Sequence, residues 1–272
     1  MSEKYKENII ENKKIISEME MNEIGDGNID LVLAENGRSK SLNEFLPEGW
    51  HFREAPEGDF GFYCVIPEKI IYLAWPIVFQ HPPRLSNRLR ILHEIGHAID
   101  AESQKTGEKY DFIDKLPPEE VDFLQENRGV FLTYEEFDLF KEVFPNLDIA
   151  SKRVSSEQLK EFQLFVKNNS EAKTKLERAF DALYDNEANA WERAKELYEV
   201  FKQEGFSFVD RAVSENEVQK IVDLRLGKYI QQILLKIKEY GLEETTLAEK
   251  MHKELKVTEE EMLSAGYDEM IF

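Results

Sequence analysis

Cysteine is almost absent from this chain: Cys64 is the only one among 272 residues. A single thiol cannot close a disulfide within the chain, so a disulfide-stapled secreted scaffold is excluded. No stretch is apolar over the roughly 18 residues that a membrane-spanning helix needs. Residues 1–14 are rich in charge and contain no apolar signal-peptide core. We therefore expect a cytoplasmic protein that does not associate with membranes.

Basic residues are outnumbered, with 35 Lys and Arg against 55 Asp and Glu and a net charge of −20. A surface with this excess repels the phosphates of nucleic acids and of anionic lipids. We expect no nucleic-acid partner, although residues 246–262 faintly resemble a helix-turn-helix. Hydrophobic residues make up 42% of the chain, which is enough for a sizeable core.

Histidine is also scarce, yet two of the five histidines stand four residues apart in the pentapeptide His-Glu-Ile-Gly-His at 93–97. Leucines before the pentapeptide recur at helical spacing and predict a helix over about 84–104. On that helix His93 and His97 share one face, where two imidazoles can bind one metal ion. Glu94 then lies beside the metal as a candidate general base, which is the arrangement of a hydrolytic zinc site. The alternative is a helix that carries two histidines without a metal.

A catalytic zinc usually has three protein ligands. A metzincin would carry Gly at 100 and His or Asp at 103, and this chain has Asp100 and Ser103 there. The other common solution is a glutamate from a later helix, and Glu187 is the best candidate. It shares a helical face with small and apolar residues, namely Ala190, Ala194 and Leu197. Such a carboxylate needs a partner, and zinc would supply one. Asp185 and Glu192 remain alternatives.

A peptidase also needs a donor for the oxyanion that forms at the attacked carbonyl. Tyr184 lies one turn before the candidate ligand Glu187, so we take Tyr184 as the candidate catalytic donor. Tyr134 and His81 are alternatives to it. Asp100 lies one turn after His97, where a carboxylate could orient a ligand.

Taken together, the pentapeptide at 93–97 and the Glu-x-x-Ala-x-x-x-Ala pattern that begins at Glu187 resemble the gluzincin metallopeptidases. Among these the chain looks most like the ImmA/IrrE-like family, and lethal-factor-like peptidases are the second choice. The resemblance covers about residues 60–200. It implies a zinc cofactor held by His93, His97 and Glu187.

The same resemblance implies a zinc endopeptidase that cuts a protein or peptide substrate, with Glu94 activating the zinc-bound water. A regulator is one natural target by analogy with the family. The alternative is a peptidase-like binding or regulatory protein that is not catalytic and whose zinc site is structural or vestigial.

The predicted fold is α+β and mostly helical, with a small N-terminal antiparallel sheet packed on the pentapeptide helix and on a second, ligand-bearing helix. We expect an N-terminal helical region at 1–28, with its helix at 2–22, and a zincin-like catalytic domain at 29–204. A helical insert lies near 105–170 and a C-terminal helical region at 205–272. Predicted strands lie at 29–33, 50–53, 61–66 and 69–75. Further helices are predicted near 117–127, 134–144, 156–168, 171–203, 215–240, 246–255 and 259–265.

The apolar segment 69–76 lies directly before the pentapeptide helix. In gluzincins the strand at this location borders the active-site cleft, which implies that an extended substrate could pair with it by strand addition. The alternative is an internal strand of the core.

Overall fold

A computed structural model of the protein describes residues 18–25, 27–35, 38–56, 62–66, 68–74, 85–103, 117–127, 129–147, 149, 153–206 and 213–258. Within these ranges six strands precede seven helices, so the predicted α+β class with mostly helical content is confirmed. The strands are β1 Glu18–Gly25, β2 Asn28–Glu35, β3 Arg38–Ser41, β4 His51–Glu54, β5 Phe62–Val65 and β6 Ile70–Leu73. The helices are α1 Leu85–Ser103, α2 Pro118–Glu126, α3 Tyr134–Val143, α4 Ser156–Asn168, α5 Ser170–Glu204, α6 Glu215–Tyr240 and α7 Thr246–Glu254.

The six strands form one sheet in the order β1-β2-β4-β6-β5, with β3 also paired to β2. Most neighbours are antiparallel, and the exception is β4 with β6, which run parallel. The sheet is therefore mixed rather than purely antiparallel. Alternate residues of β2, including Leu31 and Leu33, are buried on one face, as a sheet covered on that side requires.

Strand β6 lies between β4 and β5, so its backbone has a strand partner on both sides. The expectation that an extended substrate adds to segment 69–76 is therefore wrong, because β6 has no edge to offer. The alternative of an internal core strand is confirmed: Ile71 and Leu73 are fully buried.

The predicted helix over 2–22 is wrong for its last five residues. Glu18 to Asn22 belong to β1, which pairs antiparallel with β2. Charged and apolar residues alternate from Glu18 to Met21, and this period of two favours a strand once β2 offers a partner. The rest of the predicted helix lies outside the described residues.

The other helices agree with their predicted bounds to within one or two residues. Three of these helices begin at a capping residue: the side chains of Thr133, Ser155 and Ser214 each accept a hydrogen bond from the backbone N–H three residues later. The helix predicted at 259–265 lies outside the described residues. None of the described helices has the length and apolarity to cross a membrane.

The chain forms two compact units. One, the sheet unit, comprises Met1–Tyr110 and Asn189–Gln219. In it α1 packs against β5 and β6, and Leu89, Leu92 and Ile95 are fully buried. The sheet unit therefore supplies a rigid base for the pentapeptide.

The other, the helical unit, comprises Asp111–Ala188 and Lys220–Met270. Its core is rich in aromatic side chains, and Phe140, Phe162 and Tyr240 lie in one buried cluster. Three aromatic residues of the 105–170 segment, Phe123, Phe137 and Phe140, are fully buried.

Within the sheet unit, β3 holds the C-terminal end of α5. The Lys40 ammonium lies 2.6 Å from the Glu204 carboxylate, and the Arg38 guanidinium donates to the Glu204 backbone oxygen at 2.9 Å. Cations near a helix C-terminus also interact favourably with its dipole. The rings of Phe45 and Phe201 pack with centroids 4.8 Å apart. The second half of α5 is thereby fixed on the unit that carries α1.

Candidate metal centre

The two histidines of the pentapeptide lie together on α1. Their Nε2 atoms are 3.0 Å apart, and their ring centroids are 4.5 Å apart. Burial of Leu92, Ile95 and Ala98 sets the rotation of α1, and this rotation places His93 and His97 on the side that faces α5. The predicted pair is therefore present, with both ring nitrogens directed at one point.

Gly96 allows α1 and α5 to approach closely. A Cβ at this position would lie 2.5 Å from the backbone oxygen of Ala190 and 3.1 Å from the Cβ of Arg193. No side chain larger than hydrogen fits there, because the nearest atom belongs to a helix backbone that cannot rotate away. The small residues on α5 were a signal for this approach, but nothing in the sequence singled out Gly96.

Glu187 completes the group. It lies on α5 one turn before Ala190, and the boundary between the two units falls inside this continuous helix, after Ala188. One ligand atom from each of His93, His97 and Glu187 lies within 4.8 Å of the others. The structure therefore brings together the three predicted ligands as a group that could hold a metal ion.

The donor set fits zinc. Two nitrogens bound tetrahedrally to one zinc at about 2.0–2.1 Å lie roughly 3.3 Å apart, close to the separation of the two Nε2 atoms. Two imidazoles and one carboxylate are a common protein donor set for catalytic zinc. The same Nε2 separation suits an N–H···N hydrogen bond when one ring carries the proton, and a metal would replace that proton.

The two alternative third ligands lie elsewhere. The Asp185 carboxylate pairs with the Lys250 ammonium at 2.9 Å, and the Glu192 carboxylate pairs with Lys195 at 2.6 Å. Their side chains are 54% and 64% exposed, whereas Glu187 is only 8% exposed. Solvated ion pairs are the usual state of surface acids, so burial singles out Glu187.

Glu94, the candidate general base, is buried on α1 next to the first histidine. Burial raises the pKa of the Cys64 thiol, and the negative charge of Glu94 raises it further. The thiol is therefore neutral, and a reactive-cysteine role has no support in its surroundings.

Tyr184 lies on α5 one turn before Glu187, but its hydroxyl donates to the Glu254 carboxylate at 3.2 Å. Burial and the charge of Glu254 raise the pKa of Tyr184 to about 12. Its catalytic role stays a prediction. Of its alternatives, Tyr134 lies at the start of α3 with the Lys141 ammonium 5.6 Å from its ring centroid, and His81 is outside the described residues.

Two residues near the group were not assigned a role from sequence. The Arg193 guanidinium contacts the Asp100 carboxylate at 3.4 Å, so Asp100 joins α1 to α5. The indole of Trp191 stacks on the His93 ring. Both Arg193 and Trp191 lie within two turns after Glu187, and this helical spacing was the signal that could have found them.

No family model, curated protein or solved structure matches this chain.

Replacing Gly96 with alanine tests the close approach of the two helices. On helix propensity alone alanine would stabilise α1 by about 1 kcal/mol. We expect the opposite, a loss of about 1–3 kcal/mol, because the added methyl group overlaps a backbone atom of α5. Thermal unfolding followed by circular dichroism measures the change in stability. Zinc affinity, measured alongside, shows whether the metal centre is disturbed. A variant with unchanged or higher Tm would contradict the contact between Gly96 and Ala190.

Proposed function

We propose that this protein is a zinc-dependent endopeptidase that hydrolyses peptide bonds of a protein substrate. The observation that carries the proposal is the convergence of His93, His97 and Glu187, with Glu94 buried beside the first ligand. Two imidazoles and a carboxylate leave a fourth position on a tetrahedral ion for water or substrate. The resemblance to gluzincins supports the same conclusion.

Three residues of the site would bind the metal, and a fourth, Glu94, would transfer protons. His93, His97 and Glu187 would hold the ion, which supplies Lewis acidity and lowers the pKa of water toward about 7. Glu94 accepts a proton from the attacking water on its carboxylate and passes it to the leaving amine. Its burial supports this role, because a carboxylate in a dry site exchanges protons with the reacting groups rather than with bulk water.

A substrate backbone has a place to bind on β5. Among the described strands β5 pairs with β6 alone, so one of its sides has no described strand partner. Because β5 packs against α1, which carries Glu94, a peptide added along this side would pass beside the helix of the general base. This moves the predicted strand-addition site from β6 to β5.

The experiment that tests the proposal is the replacement of Glu94 by glutamine. We expect about one zinc per chain in both proteins and a fall in kcat/KM of roughly 100-fold or more in the variant, since general-base catalysis contributes about 10²–10⁴. The probes are casein and a pool of internally quenched peptides. Glu192→Gln is the matched control, because it makes the same chemical change on an exposed acid of α5.

The alternative is a peptidase-like binding protein with a structural zinc. It predicts that zinc binds, that no peptide of the pool is cut, and that Glu94→Gln leaves any cellular phenotype intact. Cleavage that persists at the wild-type rate in Glu94→Gln would also contradict the assignment of Glu94 as base.

A further inference from the structure

Trp191 lies against one of the metal-binding histidines. It is on α5, one turn after Glu187, and only 2% of its surface is exposed. Its ring and that of His93 are stacked, with centroids 4.1 Å apart and an angle of 26° between the planes. Trp191 thus follows the third ligand on one helix and covers the first ligand on the other.

The indole nitrogen of Trp191 does not explain this placement. The Nε1 atom is buried and has no hydrogen-bond partner among the described residues. A buried donor without an acceptor opposes folding, so the position of the indole must come from its ring contacts. The rings of Trp191 and His93 are stacked, so the indole presents its flat face to the imidazole.

We propose that Trp191 is a positioning residue of the metal centre and that its indole face fixes the ring plane of His93. The χ2 angle of a histidine is broad, so an unsupported imidazole can turn its Nε2 away from a metal. Residues that contact a ligating histidine without binding the metal themselves fix the orientation of that histidine and affect metal affinity. This inference rests on the metal centre of the proposed function, but it does not depend on peptidase activity.

The test compares zinc affinity, measured by competition with a chromophoric chelator, in wild type, Trp191→Phe and Trp191→Leu. Phenylalanine keeps a flat face without the N–H, and leucine removes the face. We expect an affinity loss of about tenfold for leucine and no more than about threefold for phenylalanine. Trp50→Phe is the matched control, because Trp50 is buried in the same unit and its indole N–H donates to Glu102. This replacement should leave zinc affinity unchanged.

Replacing zinc with cobalt gives a second measurement, the absorption spectrum of the bound metal, which a general loss of stability would not change. The visible absorption bands of bound cobalt depend on ligand geometry, so they should change in Trp191→Leu and return in Trp191→Phe. Circular dichroism of the metal-free proteins shows whether each variant folds. If Trp191→Leu does not fold, Trp191→Met takes its place in the test, since methionine fills space without a flat face.

Three results would contradict the proposed role of Trp191. Equal zinc affinity and equal cobalt spectra in Trp191→Leu and wild type would overturn the role of Trp191 while leaving the zinc site intact. A phenylalanine variant as weak as the leucine variant would overturn the ring-face argument. Wild type that binds no zinc would overturn the proposed function itself, together with this inference.

Discussion

Replacing Glu187 with alanine will reduce bound zinc from about one per chain to nearly none. The variant keeps His93 and His97 but loses the only carboxylate of the group. Changing residues that merely contact zinc ligands costs about 10–100-fold in affinity, so losing a ligand should cost at least about 100-fold. Elemental analysis after dialysis against a weak chelator measures the loss.

The stability of the same variant separates ligand loss from misfolding. Circular dichroism of both proteins without metal shows whether Glu187→Ala folds as wild type does. With zinc at about 1,000 times its Kd, wild type should gain about 4 kcal/mol in unfolding free energy, and the variant should gain almost none.

Asp185→Ala and Glu192→Ala are the matched controls for Glu187→Ala, since both remove an exposed acid from the same helix. Each should retain full zinc. Full zinc in Glu187→Ala, or loss in either control, would show that the third ligand had been assigned to the wrong residue.

The second large effect concerns a buried ion pair in the helical unit. The Glu136 carboxylate accepts from Lys236 at 2.8 Å, from the Leu132 backbone at 2.7 Å and from the Tyr240 hydroxyl. Lys236 also donates to the Val130 carbonyl. Glu136 is fully buried, so Glu136→Ala leaves the Lys236 ammonium with only the more distant Glu239 carboxylate, at 3.6 Å, and leaves two donors without their acceptor. We expect a loss of about 3–5 kcal/mol in unfolding free energy.

A double-mutant cycle shows how much of this loss comes from the uncompensated charge. Lys236→Met alone should cost less than Glu136→Ala, because the carboxylate keeps the Leu132 and Tyr240 donors. The double variant Glu136→Ala with Lys236→Met should be more stable than the sum of the single changes predicts, since both charges leave together. Urea unfolding followed by circular dichroism measures each step. Strict additivity would contradict the coupling of the pair.

Much of the fold could be predicted from local patterns. The predicted bounds of α2 to α7 agree with the structure to within one or two residues, because the signals for a helix and its ends act within one or two turns. β1 was missed because its alternation overlaps an apolar stripe that also suits a helix, and only pairing with β2 decides between them. The parallel pairing of β4 with β6 depends on contacts between distant segments, which no local pattern encodes.

The candidate site divides in the same way. The spacing of His93 and His97 determined that two imidazoles would meet, since one helical turn brings them together whatever surrounds α1. The sequence also ranked Glu187 above Asp185 by the small residues on its helical face. The close approach of α5 to α1 at Gly96, the lysine partners of Asp185 and Glu192, and the stacking of Trp191 on His93 became known only from the structure. Those facts depend on which faces of two distant helices pack, and such packing is fixed by the whole core rather than by any segment of it.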